Sequence, residues 1–341
     1  MSDIQLSLEA VESLACAALK AAGAAEQPAR SLAHAIMAAE RDGIASHGLA
    51  YLPTYCEHLR CGKVSRDAIP ESSVHGSVVK VDAASGFAHP AITLGFSHLV
   101  PLTRALGAAV LAVRNSYNCG VLGYHTERLA REGLVGLGFT NAPASIAPVG
   151  GRRPLIGTNP WSVAAPDGQG GVAFLIDQSA SVATKSEVMK RARLGESIPL
   201  GWANDSAGQP TTDPQAALKG TMAPAGGYKG FGSGMLVELF AACLTGALLG
   251  INASPFSGPS GGPPKTGQFF VAIDPGATSS NGFAANIASL LDAIRQEPGA
   301  HVPGDHRKAS AEKTAISGIW VSATLYRTIK ELTEVGSGPS S

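Results

Sequence analysis

Between residues 40 and 48 the chain reads Glu40-Arg41-Asp42-Gly43-Ile44-Ala45-Ser46-His47-Gly48, which crowds two carboxylates, a guanidinium, a hydroxyl and an imidazole into one break between helical patterns. An imidazole ordinarily titrates near about 6.5, so a histidine flanked by serine and glycine can donate a proton at neutral pH. A helix end capped by Asp42 or Ser46, with His47 merely solvated, uses the same residues equally well. Asp177 closes the apolar run Ala173-Phe174-Leu175-Ile176. A carboxylate at the carboxyl end of a buried strand sits where α/β proteins place ligand groups, and it can hold an imidazole in one tautomer. Its plainer use is to cap a helix starting near Thr184. Gly226-Gly227-Tyr228-Lys229-Gly230 precedes a long apolar stretch, and bare N–H groups at a helix N-terminus beside an ammonium form an anion site. A flexible helix-entry loop is the alternative. The basic turn Val302-Pro303-Gly304-Asp305-His306-Arg307-Lys308 can grip a phosphate or simply face solvent.

Other chemistries are excluded. No G-x-G-x-x-G follows a strand, no P-loop is present, and the G-x-S-x-G string Gly258-Pro259-Ser260-Gly261-Gly262 falls inside a Pro- and Gly-rich loop rather than at a strand-to-helix turn, so no nucleophile elbow is formed. Cys56, His58 and Cys61 lie close together, but on a helix the two thiols do not share a face, so no metal site is expected. Lys and Arg (26) balance Asp and Glu (26), leaving no field to attract nucleic acid. The stretch Gly232 to Ile251 approaches the roughly 20 residues of a membrane span but contains Glu238, so a buried core helix is expected and no membrane partner. Five cysteines, an odd number, make no disulfide framework, and the start MSDIQLSLEA lacks a basic, then apolar, export signal. A cytoplasmic protein is expected.

The elements that must position these groups follow from periodicity. Residues 8–22 have helical spacing with Ser7 as N-cap and Gly23 as stop, a second helix runs over 28–41, and a helical pattern resumes over 49–59. Ser46-His47-Gly48 is therefore a junction between helices. From residue 77 short apolar runs at 77–83, 107–115, 133–141, 161–166, 173–177 and 268–274 read as strands. Helical patterns lie at 88–106, 123–132, 184–194, 231–249 and 280–296. Such alternation argues for an α/β fold with a mixed sheet. Residues 142–160 and 252–267 are Pro- and Gly-rich loops, the first carrying Asn141-Ala142-Pro143 and Asn159-Pro160 near strand ends. The tail from Gly336 reads as mobile.

The strings RDGIASHGLAYLPTYCEHLRCGKV (41–64), GFTNAPASIAPVGGRRPLIGTNP (138–160), IPLGWANDSAGQPTTDPQAALKGTMAPAGGYKG (198–230) and VPGDHR (302–307) resemble the malate/L-lactate dehydrogenase family. This is the type-2, non-Rossmann group that includes sulfolactate dehydrogenases and Δ1-piperideine-2-carboxylate/Δ1-pyrroline-2-carboxylate reductases, and the match runs from about residue 5 to 330. The resemblance implies an NAD(P)-dependent oxidoreductase and a homodimer with its site near the subunit interface. It implies a mixed-sheet NAD(P)-binding domain of non-Rossmann type over 76–250, inserted in a mainly helical domain. That domain is made of an N-terminal segment, 1–75, carrying Ser46 and His47, and a C-terminal α/β segment, 251–335, with 336–341 as a tail. Carried over residue by residue, His47 is the proton donor, and Ser46 and Asp177 form its relay. Asn118, Cys119, Gly120, Val121, Leu122, Thr140, Lys229, Gly230, Pro303, Gly304, Asp305 and Arg307 contact NADP or NAD, and no metal takes part. The chain departs from the family pattern at Tyr51, where many members carry Arg, and at Asn118, where they carry His.

Hydride delivery to a C=O or C=N carbon builds negative charge on the heteroatom, which an imidazolium neutralises. The leading expectation is a reductase of a small 2-oxo acid giving a 2-hydroxy acid of the malate, lactate or sulfolactate type. A cyclic-imine reductase giving proline or pipecolate uses the same machinery. A silent scaffold that kept the fold is the third reading.

Overall fold

The computed structural model describes residues 3–280 and 282–334, so the tail from Gly336 lies outside the described residues. Strand β1 (Ile4–Leu6) leads into α1 (Leu8–Ala21), where the Ser7 hydroxyl accepts the Ala10 N–H at 3.1 Å and Gly23, at φ +99°, turns the chain away. Helix α2 (Glu26–Arg41) ends at Asp42. Two single 3-10 turns, Ala45–His47 and Leu49–Tyr51, fill the junction before α3 (Leu52–Arg60). Val11, Leu14, Leu32, Ile36, Leu52 and Tyr55 form the core these helices share.

Next come β2 (Glu71–His75), β3 (Val78–Asp82), α4 (Ala88–Leu106), β4 (Ala108–Ser116), α5 (Leu122–Arg131), β5 (Val135–Thr140), β6 (Trp161–Pro166) and β7 (Val172–Gln178). A small excursion holds α6 (Lys185–Leu194), β8 (Ala203–Asn204), β9 (Pro210–Thr211), α7 (Pro214–Lys219) and β10 (Thr221–Met222). The chain closes with α8 (Tyr228–Glu238), β11 (Thr266–Ile273), α9 (Pro275–Ser279), α10 (Phe283–Gln296), α11 (Asp305–Ser317), β12 (Ile319–Val321) and α12 (Ala323–Glu334). The periodicity missed β2, whose residues are all exposed and carry no apolar alternation, and strands too short to show a period, such as β8 and β9.

The sheet has seven strands in the order β2-β3-β4-β11-β5-β6-β7. Only β3 and β4 run parallel, and the other pairs are antiparallel. It is a mixed sheet, as expected. Ile92, Phe96 and Leu99 of α4 cover one face against Leu111 and Phe270, while Val237 and Ala241 cover the other against Phe139 and Phe269. β11 enters between β4 and β5, so residues after 250 also build the sheet, whereas β12 pairs with β1, Ile4 against Val321.

The stretch Gly232 to Ile251 is not the buried core helix expected. α8 ends at Glu238 and passes into a π-turn, Leu239–Cys243. The helix packs its glycine side inward: a Cβ on Gly234 would stand 2.6 Å from Ile156 Cδ1. Large apolar side chains of the helix and of the turn that follows consequently point outward, with Met235 50%, Leu236 47%, Leu239 50% and Leu244 55% exposed. Glu238 is tied instead to loops, accepting from Gly250 N–H at 2.6 Å and Asn159 Nδ2 at 2.7 Å. Among the described residues no helix is long and apolar enough to cross a membrane.

Candidate active site

Antiparallel register brings the carboxyl ends of β4, β5 and β7 to one edge of the sheet. Thr266 pairs with Ser116, Gln268 with Thr140, Phe139 with Trp161, and Ser162 with Asp177. The segment 117–122, the end of β5 and Asp177 therefore leave the sheet on the same side.

His47 ends the first 3-10 turn, and its Nδ1 lies 3.0 Å from the Ser46 hydroxyl. The ring is half-buried. Loss of water lowers its pKa from the ordinary 6.5, the Asp177 carboxylate pulls it up, and the Arg307 guanidinium pushes it down. With Nδ1 engaged by Ser46, Nε2 is the nitrogen from which a proton can be delivered. The turn is clamped from beneath by Glu40, a buried carboxylate whose Oε1 accepts the Leu49 N–H at 2.7 Å. Burial raises the Glu40 pKa, and that N–H lowers it. Gly48 lies against the same carboxyl, and a Cβ there would stand 2.2 Å from Glu40 Oε1.

Asp177 does not touch the helix at Thr184, which caps itself through its own hydroxyl. Its Oδ2 accepts from the Gly123 N–H at 2.9 Å, in the first turn of α5, and from Arg307 Nη2 at 2.8 Å. The carboxylate thus caps α5 from across the fold and pairs with a residue of α11. Ser46 and His47 share a hydrogen bond; Asp177 reaches His47 by charge, while its Oδ2 accepts from Gly123 and Arg307. A cleft of about 420 Å³ is lined by Asp177, Gln178, Pro303, Gly304, His306 and Arg307 together with Leu175 and Ile176.

Lys229 is exposed at the start of α8, behind Gly226 and Gly227 at φ +65° and +64°, where a Cβ would meet nothing within 4 Å. No side chain caps this helix. Ala225 N–H donates to Ala180 C=O at 2.8 Å, which holds the glycine loop beside the chain just past Asp177. Gly230 is different in kind: it is buried, and a Cβ would stand 2.3 Å from Ala225 O. These residues fit the anionic part of a nicotinamide dinucleotide. Bare amides, an open helix N-terminus, Lys229 and a buried Arg307 Nη1 with no partner all seek an acceptor.

Of the other expected contacts, Thr140 and Cys119 are buried and Asn118 and Asp305 are half-buried. Thr140 Oγ1 donates to Gly267 C=O at 3.2 Å and accepts from Gln268 Nε2 at 3.2 Å. Cys119 is buried, its thiol pushed up to about 12 by loss of water, and its carbonyl accepts from His125 Nε2 at 3.0 Å. Asn118 Oδ1 accepts the Gly120 N–H at 2.6 Å, and Asp305 Oδ2 accepts the Val302 N–H at 3.2 Å. The side chains of these four residues shape the segments that carry them. Tyr51 donates its hydroxyl to Phe256 C=O at 3.0 Å, and Lys63 Nζ donates to Pro255 and Gly258 C=O at 2.7 and 2.9 Å, so the Pro-rich loop is strapped beside the His47 turn. Sequence reasoning missed Gly123, Lys63 and the buried pair His89 and His125. Gly123 and Lys63 find their partners far along the chain and His89 packs on His125 from another helix, so no local pattern marks them.

A family model described as Malate/L-lactate dehydrogenase matches residues 6–330. The (2R)-3-sulfolactate dehydrogenase (NADP(+)) of Chromohalobacter salexigens is 46% identical over 304 residues, covering 89% of this chain and 91% of that protein. The Δ1-pyrroline-2-carboxylate reductase of Ancylobacter novellus is 36% identical over 338 residues, covering 98% and 99%. Among solved structures, Δ1-piperideine-2-carboxylate reductase from Pseudomonas syringae superposes with a TM-score of 0.91 at 33% identity, covering 96% of this chain and 99% of that one.

Proposed function

The chain belongs to the malate/L-lactate dehydrogenase family and is an NAD(P)-dependent oxidoreductase, and from that premise we propose that it interconverts a small 2-oxo acid and its 2-hydroxy acid, sulfopyruvate and sulfolactate before malate or lactate. The observation that carries the chemistry is the His47 imidazole, anchored at Nδ1 by Ser46 and within the electrostatic reach of the Asp177 carboxylate. The 46% identity to an NADP(+)-dependent sulfolactate dehydrogenase supports the choice of substrate and of NADPH.

When bound, the reduced nicotinamide supplies the hydride that goes to C2 of the substrate. The chain's own residues do the rest. His47 gives its Nε2 proton to the substrate oxygen as negative charge develops there, so that keto acid, NADPH and one proton give hydroxy acid and NADP+. Ser46 holds the ring in register. Asp177 favours the cationic ring electrostatically and, by capping α5, fixes the 118–122 segment. The glycine loop with Lys229, and the turn at 303–307, hold the anionic end of the cofactor.

A second reading, reduction of a cyclic imine such as Δ1-pyrroline-2-carboxylate, is supported by the 36% identity that spans 98% of the chain. A C=N beside a carboxylate offers His47 nearly the same geometry. NADPH and NADH oxidation by purified protein, measured against sulfopyruvate, oxaloacetate, pyruvate and the two cyclic imines, separates the readings. Fastest turnover on sulfopyruvate is expected; preference for an imine would replace the first reading by the second.

The same reading makes the protein a homodimer. Met235, Leu236, Leu239 and Leu244 are exposed apolar side chains close together in sequence, and exposed apolar clusters of this kind are where protein partners bind. Met235→Asp should yield monomer in sedimentation, and an unchanged mass would remove this face from the interface. Five free cysteines suit a reducing compartment, the cytoplasm.

A further inference from the structure

The guanidinium of Arg307 occupies an unusual place. Its Nη2 holds Asp177 at 2.8 Å, while its Nη1 is buried without a partner. The group also packs against the first turn of α5, where a Cβ on Gly123 would stand 2.5 Å from Nη1. A cation at a helix N-terminus opposes the helix dipole, and a buried donor left without an acceptor is destabilising. Asp177 offsets the first of these, and an acceptor reaching Nη1 would remove the second. The cleft beside Pro303, Gly304 and Arg307 gives an anion a way in.

We propose that Arg307 couples cofactor binding to the loading of a proton on His47. In the free enzyme Arg307 monopolises Asp177 and opposes a cationic imidazole; a phosphate of NADPH accepting from Nη1 neutralises the guanidinium and returns the Asp177 charge to His47. This rests on the dinucleotide site read above.

The groups around His47 make the sign unambiguous. From its own turn comes Ser46, from β7 Asp177, and from α11 Arg307. At the end of α2, Arg41 pairs with Asp42 at 2.7 Å and lies 3.8 Å from Glu127 of α5, and Glu40 is spent on the Leu49 N–H. Burial is the main cause of the lowered proton affinity of His47 and Asp177 opposes it; Arg307 is the cation that adds to the lowering, so cancelling its charge raises the proton affinity of the ring. Linkage then requires NADPH to bind more tightly as pH falls through the His47 titration.

The test is the titration of the His47 ring followed by NMR, its signal assigned by loss in His47→Gln, in free enzyme and in the NADPH complex without substrate. NADPH is expected to raise the proton affinity of His47 about tenfold, one pH unit in its titration. Arg307→Gln should raise it by a similar factor in the free enzyme and leave little further change on binding. Arg307→Lys, which keeps the charge, should titrate as the parent does. If NADPH binds the parent and His47 titrates unchanged, or if free Arg307→Gln titrates like the parent, the coupling is wrong. If NADPH does not bind at all, the cofactor reading itself fails first.

Discussion

At the scale of the residue, the site depends on one place where no side chain can stand. Gly48 faces the Glu40 carboxyl so closely that a methyl group would displace it from the Leu49 N–H. Gly48→Ala should therefore shift the His47 turn, lowering turnover more than tenfold and stability by about 1–3 kcal/mol in a denaturant midpoint. Glu40→Gln, which keeps an acceptor for Leu49, should retain most of the activity, and equal damage from both changes would deny the clamp. With His47 as the proposed proton donor, its protonation should set the pH dependence. The donor is the cation and burial lowers its pKa below 6.5, so reduction should slow as pH rises through that value and oxidation should quicken. His47→Ala should lower turnover by about 10²–10⁴-fold and flatten both limbs, with the NADPH dissociation constant nearly unchanged. A steep limb surviving in the variant would assign the titration to another group. Ser46 and His47 were legible because they adjoin in sequence. The use of Asp177 as a partner of Arg307 was not, because 130 residues separate the pair.

At the scale of the element, apolar periodicity located most strands that build the sheet, and Ser7 and Gly23 marked the ends of α1. Periodicity reads burial on one face, so it passed over β2, which is exposed throughout, and it took α8 for a core helix because it cannot tell which face of an apolar helix meets protein. The glycines were the better guide. Gly226 and Gly227 adopt positive φ with open space above them, as an anion-binding loop needs, whereas Gly230 and Gly234 serve close packing. Lys229→Ala should accordingly weaken NADPH binding at least about tenfold, measured by fluorescence titration, with a loss that shrinks as salt is raised. An unchanged dissociation constant would strip the loop of its role.

At the scale of the molecule, several histidines are folded in as neutral groups. His89 is buried, its two ring nitrogens have no partner, and burial pulls its pKa to about 3; His125 beside it is held well below the ordinary value. A group with a depressed pKa contributes stability above its unfolded value near 6.5 and loses it as pH falls toward its folded value. From His89 alone, unfolding free energy should drop by about 2–3 kcal/mol between neutral pH and about pH 4.5. His89→Leu should flatten that dependence in urea titrations, and an equally steep variant would place the acid sensitivity elsewhere. The pair lies behind the 118–122 segment, with His125 bonded to the Cys119 carbonyl, so acid should loosen the cofactor edge as it weakens the core.

The central claim is that this chain moves a hydride from NADPH to C2 of a small 2-oxo acid while His47 supplies the proton. Its most direct test is NADPH deuterated at C4, prepared in each stereochemical form, with sulfopyruvate in ordinary water, followed by mass spectrometry and NMR of the product. One form should place a single deuterium at C2 of sulfolactate, with hydrogen from solvent on the oxygen, and the other form should place none. Product without deuterium from either form, or deuterium washed out to solvent, would contradict direct hydride transfer.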